Sequence, residues 1–184
     1  NCAWWLMSDL AIWMAGGVSV PLYPTLAPDT IAHILKHSEA RACFIGKLDG
    51  WEAMAPGVPA DLPCISYALS PDSARKAYPL WDTLCKAAKP ITGQPVRGSD
   101  APTTEIYTSG TTGMPKGVMH NFNNFAWALD AGIRRLPMGK DDRMLSYLPL
   151  AHVVERVLVE HGWLRTGMHV FFADSLDTFT TDMQ

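Results

Sequence analysis

The stretch Tyr107-Thr108-Ser109-Gly110-Thr111-Thr112-Gly113-Met114-Pro115-Lys116-Gly117 decides how the rest of this sequence is read. Its glycines let the backbone turn tightly and bring N–H groups close to an anion. Thr108, Ser109, Thr111 and Thr112 crowd hydroxyls into a few positions, where they can follow phosphate oxygens. Lys116 adds a positive charge suited to a polyphosphate, and Pro115 stiffens the exit from the loop. The stretch is not a Walker A loop, which needs Gly-Lys-Ser/Thr where this chain has Pro115-Lys116-Gly117. No GxGxxG fingerprint for a dinucleotide is present either. A plain Ser/Thr/Gly-rich surface loop is the alternative, but such a loop seldom follows a β-rich run and ends in Pro-Lys-Gly.

Outward from the loop, helical and strand-like segments alternate. Downstream, Asn121 or Asn123 is placed to cap a helix reaching to about Leu136. Arg143 to Leu148 reads as a strand, 151–165 as a helix and His169 to Phe172 as another strand. Asp174 is expected to cap a last helix, with Asp177 supporting its first turn. Upstream, the β-rich run Thr103 to Thr108 follows 89–102, a loop rich in proline and glycine. Before it come a buried helix over 2–15, a short strand from Val18 to Leu22, and a helix opened by Pro28 and Asp29. That helix carries Ile31, Ile34 and Leu35 on one face. Strands are expected at Arg41 to Ile45 and Leu62 to Leu69, and a short helix from Leu80 to Ala88. Strands alternating with helices predict an α/β fold with a mostly parallel sheet flanked by helices. The 89–102 loop is the one plausible sub-boundary.

Composition narrows the class. Of 184 residues, 48% are hydrophobic and 18% charged, enough apolar material for a core. The net charge is −3 and no Lys/Arg run occurs, so nothing favours nucleic acid as a partner. Cys2, Cys43, Cys64 and Cys85 are far apart, with no CxxC pair, and are expected to be reduced thiols. The apolar run from Cys2 to Val20 contains Asp9 near its middle and lacks a basic leader, so it is expected to be a buried helix rather than a membrane span or signal. The chain begins at Asn1 inside this helix and stops at Gln184 as another begins, so both ends are expected to be cut.

With these residues in view, a family resemblance becomes specific. The segment Tyr107 to Val118 resembles the phosphate-binding signature of the adenylate-forming superfamily of acyl/aryl-CoA synthetases, luciferases and peptide-synthetase adenylation domains. Ala15-Gly16-Gly17-Val18-Ser19-Val20-Pro21-Leu22-Tyr23 is similar to an upstream stretch of fatty acyl-CoA synthetases. Ser146-Tyr147-Leu148-Pro149-Leu150-Ala151-His152-Val153-Val154-Glu155-Arg156 resembles their Leu-Pro-Leu-Ala-His-x-x-Glu-Arg segment. The blocks stand in the family's order and favour the long-chain fatty acyl-CoA branch. One departure follows Gly117: the family often reads Val-Met-Leu-Thr-His where this chain has Val118-Met119-His120-Asn121-Phe122.

The resemblance implies that 1–184 is a fragment of the AMP-binding N-terminal domain, without the C-terminal lid. It implies ATP, Mg2+ and CoA as cofactor and co-substrates, with a fatty acid as the acid. Thr108, Ser109, Gly110, Thr111, Thr112, Gly113 and Lys116 would hold the β- and γ-phosphates, and His152 would lie near the reacting carboxylate. Glu155 and Arg156 are expected to be structural. The magnesium-coordinating Glu, the ribose-binding Asp and the adenylation Lys of relatives have no counterpart in 1–184, so the fragment alone is expected to be inactive. A cytoplasmic location is expected, with any membrane contact peripheral at the inner face. Other acids (medium-chain or aryl), a carrier-protein thiol as acceptor, and a non-catalytic nucleotide-binding homologue are the alternatives.

Overall fold

The computed structural model describes residues 1–108, 113–175 and 177–183. The chain opens with helix α1, Ala3–Met14, which buries Leu6, Ser8, Asp9 and Trp13. Helix α2, Pro28–His37, starts with proline at its first turn, where a missing N–H costs nothing, and buries Ile31, Ile34 and Leu35. Two short strands, β1 (Cys43–Ile45) and β2 (Cys64–Ser66), pair in parallel with Cys43 opposite Cys64. Between and after them lie three short helices: α3, Trp51–Met54, α4, Asp72–Ala77, and α5, Trp81–Ala87. The parallel pair packs with α2 and α3 around Ile31, Leu35, Ile45, Trp51, Met54, Cys64 and Ala74, forming one core cluster.

The centre of the chain is an antiparallel hairpin. Strand β3, Pro102–Thr108, pairs with β4, Lys116–Asn121, from Pro102↔Asn121 to Thr108↔Lys116. Asn121 then caps helix α6, Phe122–Ile133, in a reciprocal box: its side chain accepts from the Asn124 N–H, and the Asn124 side chain accepts from the Asn121 N–H. Strands β5 (Arg143–Ser146) and β6 (His169–Phe172) form a second parallel pair. The helical segment between them begins as α7, Val153–Glu155, widens into a π-helical turn over Arg156–His161, and ends as α8, Gly162–Thr166. A last short helix, α9, spans Phe179–Asp182. Leu6, Leu150 and Val159 form the second core cluster, joined by Trp5, Met144, Trp163, Val170 and Phe172.

The α/β class expected from the alternation is therefore present, with two of the three small sheets parallel. Several local expectations are corrected. Val18 to Leu22 is not a strand; only Ser19 makes a parallel bridge, to Thr104 of β3. Residues 116–121, read as loop and cap, form β4, because they are the return arm that covers the β3 edge. Asp174 does not cap the last helix, which begins at Phe179; its carboxylate instead pairs with Lys47 at 2.5 Å. The helix expected to be buried over 2–15 is buried on one side only: Trp13 is buried, whereas Met7 and Met14 are exposed. The four cysteines are free thiols. Among the described residues no helix is long and apolar enough to cross a membrane.

Three junctions fasten the hairpin to α1. The Trp13 indole N–H donates to the Thr103 carbonyl at 2.9 Å. Ser19 N–H donates to Thr103 O, and Glu105 N–H donates to Ser19 O, each at 2.9 Å. Arg97, from the proline-rich loop, donates to the carbonyls of Trp13 and Gly17 at 3.1 Å and of Pro102 at 3.0 Å. The guanidinium thus ties the end of α1 at Trp13 and the turn after it at Gly17 to the start of β3 at Pro102.

Candidate functional site

The hairpin register places Thr108 and Lys116 opposite each other, both exposed, at the two ends of the glycine-rich segment. Cross-strand partners in an antiparallel pair sit within about 4.5–5.5 Å of each other, so the two flanks of the segment stand side by side. Ser109, Gly110, Thr111 and Thr112 lie outside the described residues. Gly113 has φ +97°, in the region that strains any residue with a Cβ, as a tight return toward β4 requires. Lys116 makes no ion pair among the described residues.

Gly117 is needed for a different reason. A Cβ built there would fall inside the carboxylate of Glu105, whose side chain leans across the hairpin over this position. Glu105 in turn lies beside the Tyr107 phenol. Burial, and next the neighbouring Glu105 carboxylate, push the Tyr107 hydroxyl well above its ordinary pKa. From α2, His37 Nδ1 reaches that hydroxyl at 2.5 Å. His33 stands one turn before His37 on the same helix. His37 is exposed, yet its ring nitrogen is engaged, and the i, i+4 spacing that places both rings on one helix face was the available signal.

His152 sits at the N-cap of α7, exposed, with its Nδ1 accepting from the Val154 N–H at 3.2 Å. This arrangement leaves Nε2 as the outward ring nitrogen. The turn that carries His152 is fixed from both sides. Asn1 Nδ2 donates to Ser146 Oγ at 2.7 Å and to the Leu148 carbonyl at 2.6 Å, while Asn1 Oδ1 accepts from the Leu150 N–H at 3.0 Å. Ser146 Oγ donates to the Glu155 carboxylate at 2.8 Å. Burial raises the Glu155 pKa, against the hydrogen bonds from Ser146 and the Tyr147 and Leu148 backbone.

Glu155 and Arg156, expected to be structural, turn to different partners. Arg156 is fully buried and pairs with Asp9 of α1, which explains an acid in the middle of an apolar helix. The same guanidinium donates to Ser19 Oγ at 3.1 Å and stands 3.5 Å from the Glu160 carboxylate. Phe122, which ends the segment that departs from the resemblance, packs edge-on against Trp13 with ring centroids 5.6 Å apart, and Arg97 lies over its face. Asp141-Asp142 lies in a turn, with the Asp142 carboxylate accepting from the Gly139 N–H at 2.7 Å. Among the described residues no group of three or more His, Cys, Asp or Glu could hold a metal ion.

The sequence profile of the AMP-binding enzyme family matches residues 1–184. The chain belongs to that family. It is 28% identical over 187 residues to the long-chain-fatty-acid–CoA ligase FadD15 of Mycobacterium bovis, covering 98% of this chain and 30% of the ligase. It is 31% identical over 183 residues to long chain acyl-CoA synthetase 4 of Arabidopsis thaliana, covering 88% of this chain and 27% of the synthetase. The chain thus spans less than a third of the length of these relatives. Among solved structures, ATP-bound MatB from Rhodopseudomonas palustris superposes with a TM-score of 0.74 at 21% identity, over 98% of this chain and 35% of that one. The o-succinylbenzoate CoA synthetase MenE from Bacillus subtilis, in complex with its acyl-adenylate, gives 0.72 at 23% identity, over 98% of this chain and 44% of that one. These likenesses establish the fold of this AMP-binding family member.

Proposed function

We propose that the protein containing this chain activates a long-chain fatty acid with ATP, forming acyl-AMP and pyrophosphate, and then passes the acyl group to CoA. The observation that carries this reading is the β3–β4 hairpin, which sets Thr108 and Lys116 at the two ends of a glycine- and hydroxyl-rich segment inside an AMP-binding family member. The names of the relatives, long-chain-fatty-acid–CoA ligase and long chain acyl-CoA synthetase, supply the acid and the acceptor.

In this reading Thr108, Ser109, Gly110, Thr111, Thr112, Gly113 and Lys116 hold the β- and γ-phosphates of ATP, which arrives with Mg2+. As the carboxylate attacks the α-phosphorus, charge moves onto the departing pyrophosphate. Fixed N–H, hydroxyl and ammonium groups stabilise that charge without reorganising at the moment of reaction. His152, held on a braced turn with Nε2 outward, is the candidate for contact with the acyl carboxylate. The Mg2+ would sit on the phosphates.

A reading with another acid keeps the same chemistry, since a neighbour in fold is an o-succinylbenzoate CoA synthetase. ATP–pyrophosphate exchange by the full-length protein tests the proposal. Exchange that appears on adding a long-chain fatty acid supports it. Exchange with only aryl or short acids moves the substrate, and no exchange with any carboxylate removes the adenylation.

A further inference from the structure

The hydrogen bonds of β3 and β4 fix the two flanks of the glycine-rich segment relative to each other. They do not fix the flanks relative to the rest of the domain. The bridge from Ser19 reaches β3 at Thr104, toward the end away from that segment. Near the segment itself, the contacts come from α2. This helix buries Ile31, Ile34 and Leu35 and carries His33 and His37 one turn apart on an adjoining face, ring centroids 5.7 Å from each other.

Both histidines reach the hairpin, and they reach different flanks. His37 Nδ1 lies 2.5 Å from the Tyr107 hydroxyl on β3, with the two rings edge-on at 5.7 Å. It also stands 3.9 Å from the Glu105 carboxylate. His33 Nε2 lies 3.4 Å from the Pro115 carbonyl, which can only accept, so this nitrogen carries the proton. Tyr107 stands just before the hydroxyl-rich run and Pro115 just before Lys116. Gly117 completes the arrangement, because its missing side chain is what lets Glu105 lie beside Tyr107.

We propose that His37 is a positioning residue for nucleotide binding: it anchors the Tyr107 phenol to α2, while His33 steadies the opposite flank at Pro115. This inference rests on the reading of the loop as the phosphate site. A phosphate-gripping loop is effective to the extent that its donors are already in place when the anion arrives. The His37 side chain is 56% exposed, so removing it opens no cavity in the core. Its loss acts through Tyr107 and not through global stability.

The test is calorimetric binding of MgATP to the full-length protein, which needs no knowledge of the acid. His37→Ala is expected to weaken MgATP about tenfold, the size of one lost hydrogen bond, with CoA affinity and the thermal midpoint unchanged. His37→Asn, whose amide can occupy the place of Nδ1, is expected to recover most of the loss. Lys116→Ala is the control for the loop. Weakening by Lys116→Ala with none by His37→Ala would overturn the inference and leave the loop reading standing. An effect of His37→Ala that His37→Asn does not rescue, or that a lowered thermal midpoint accompanies, would also overturn it. If neither variant weakens MgATP, or the wild-type protein does not bind it, the loop reading falls and the inference falls with it.

Discussion

Arg156, at the start of the π-helical turn, and Asp9, in the middle of α1, form an ion pair whose side chains are 0% and 5% exposed. Their partners are far apart in sequence, and the pair ties the first helix to the segment that follows His152. Charges this far from water persist only when they neutralise each other, because each alone would bear a desolvation cost of several kcal/mol.

Removing one partner is therefore expected to be severe. Arg156→Met leaves Asp9 buried without a counter-charge and should cost about 3–5 kcal/mol in urea unfolding of the full-length protein. Arg156→Met combined with Asp9→Leu should recover more than half of that. A double variant as unstable as the single one would show that the cost is packing and not charge.

His161 makes a second, pH-dependent prediction. Its ring stacks on Phe125 with centroids 4.3 Å apart and on Trp13 at 5.5 Å, and its Nε2 has no partner among the described residues. Burial, and then the Arg156 charge, push its pKa down to about 3. The folded value is below the ordinary one of about 6.5, so the unfolded chain binds the proton first. The stability contributed by this group is full above about pH 6.5 and is lost as pH falls from there toward about 3. Glu160 opposes this: burial, then Asp9, raise its pKa, so its contribution is full below the ordinary carboxyl range and is lost as pH rises. The clean measurement is the difference between wild type and His161→Phe, which should favour the variant more at pH 5 than at pH 7. A difference independent of pH would refute the assignment.

Gly117→Ala should destabilise the hairpin by about 1–2 kcal/mol, the usual cost of forcing a side chain into occupied space. The same substitution in a Glu105→Ala background should cost much less, since the carboxylate that occupies the space is gone. Unfolding midpoints of the three variants decide it. An equal cost in both backgrounds would place the strain in the backbone.

Lys116→Ala should leave the fold intact, because the side chain is exposed, and should lower the rate of ATP–pyrophosphate exchange by about 10- to 100-fold. Wild-type exchange kinetics in this variant would remove Lys116 from the phosphate site.

Much of the fold was legible because each periodic segment has a local cause. Pro28 opens α2 at a position that needs no N–H, and Asn121 caps α6 with its own side chain. The β-rich run before the glycines is β3. What escaped depends on partners distant in sequence. Lys116 to Asn121 mixes charge, glycine and apolar residues without a clean alternation, and it becomes a strand because β3 offers an edge. Asp174 resembles a helix cap in isolation, yet Lys47 of the first half takes its carboxylate. The contacts of His37 and Arg156 likewise belong to tertiary structure. Within the candidate site, residue types point to phosphate chemistry, whereas the contacts of the segment's flanks with α2 could be seen only once the helix and hairpin were brought together.

The widened turn over Arg156–His161 has a consequence for how this family member tolerates insertions and deletions. Each residue advances an α-helix by about 100°. A π-helical turn holds about one residue more than an α-helical turn, so trimming one residue from the span between Arg156 and Glu160 would let the segment relax to regular pitch with Trp163 still directed at the second core cluster. A deletion in regular helix would instead rotate everything beyond it, so the widened turn is the place where this helical segment can shed a residue.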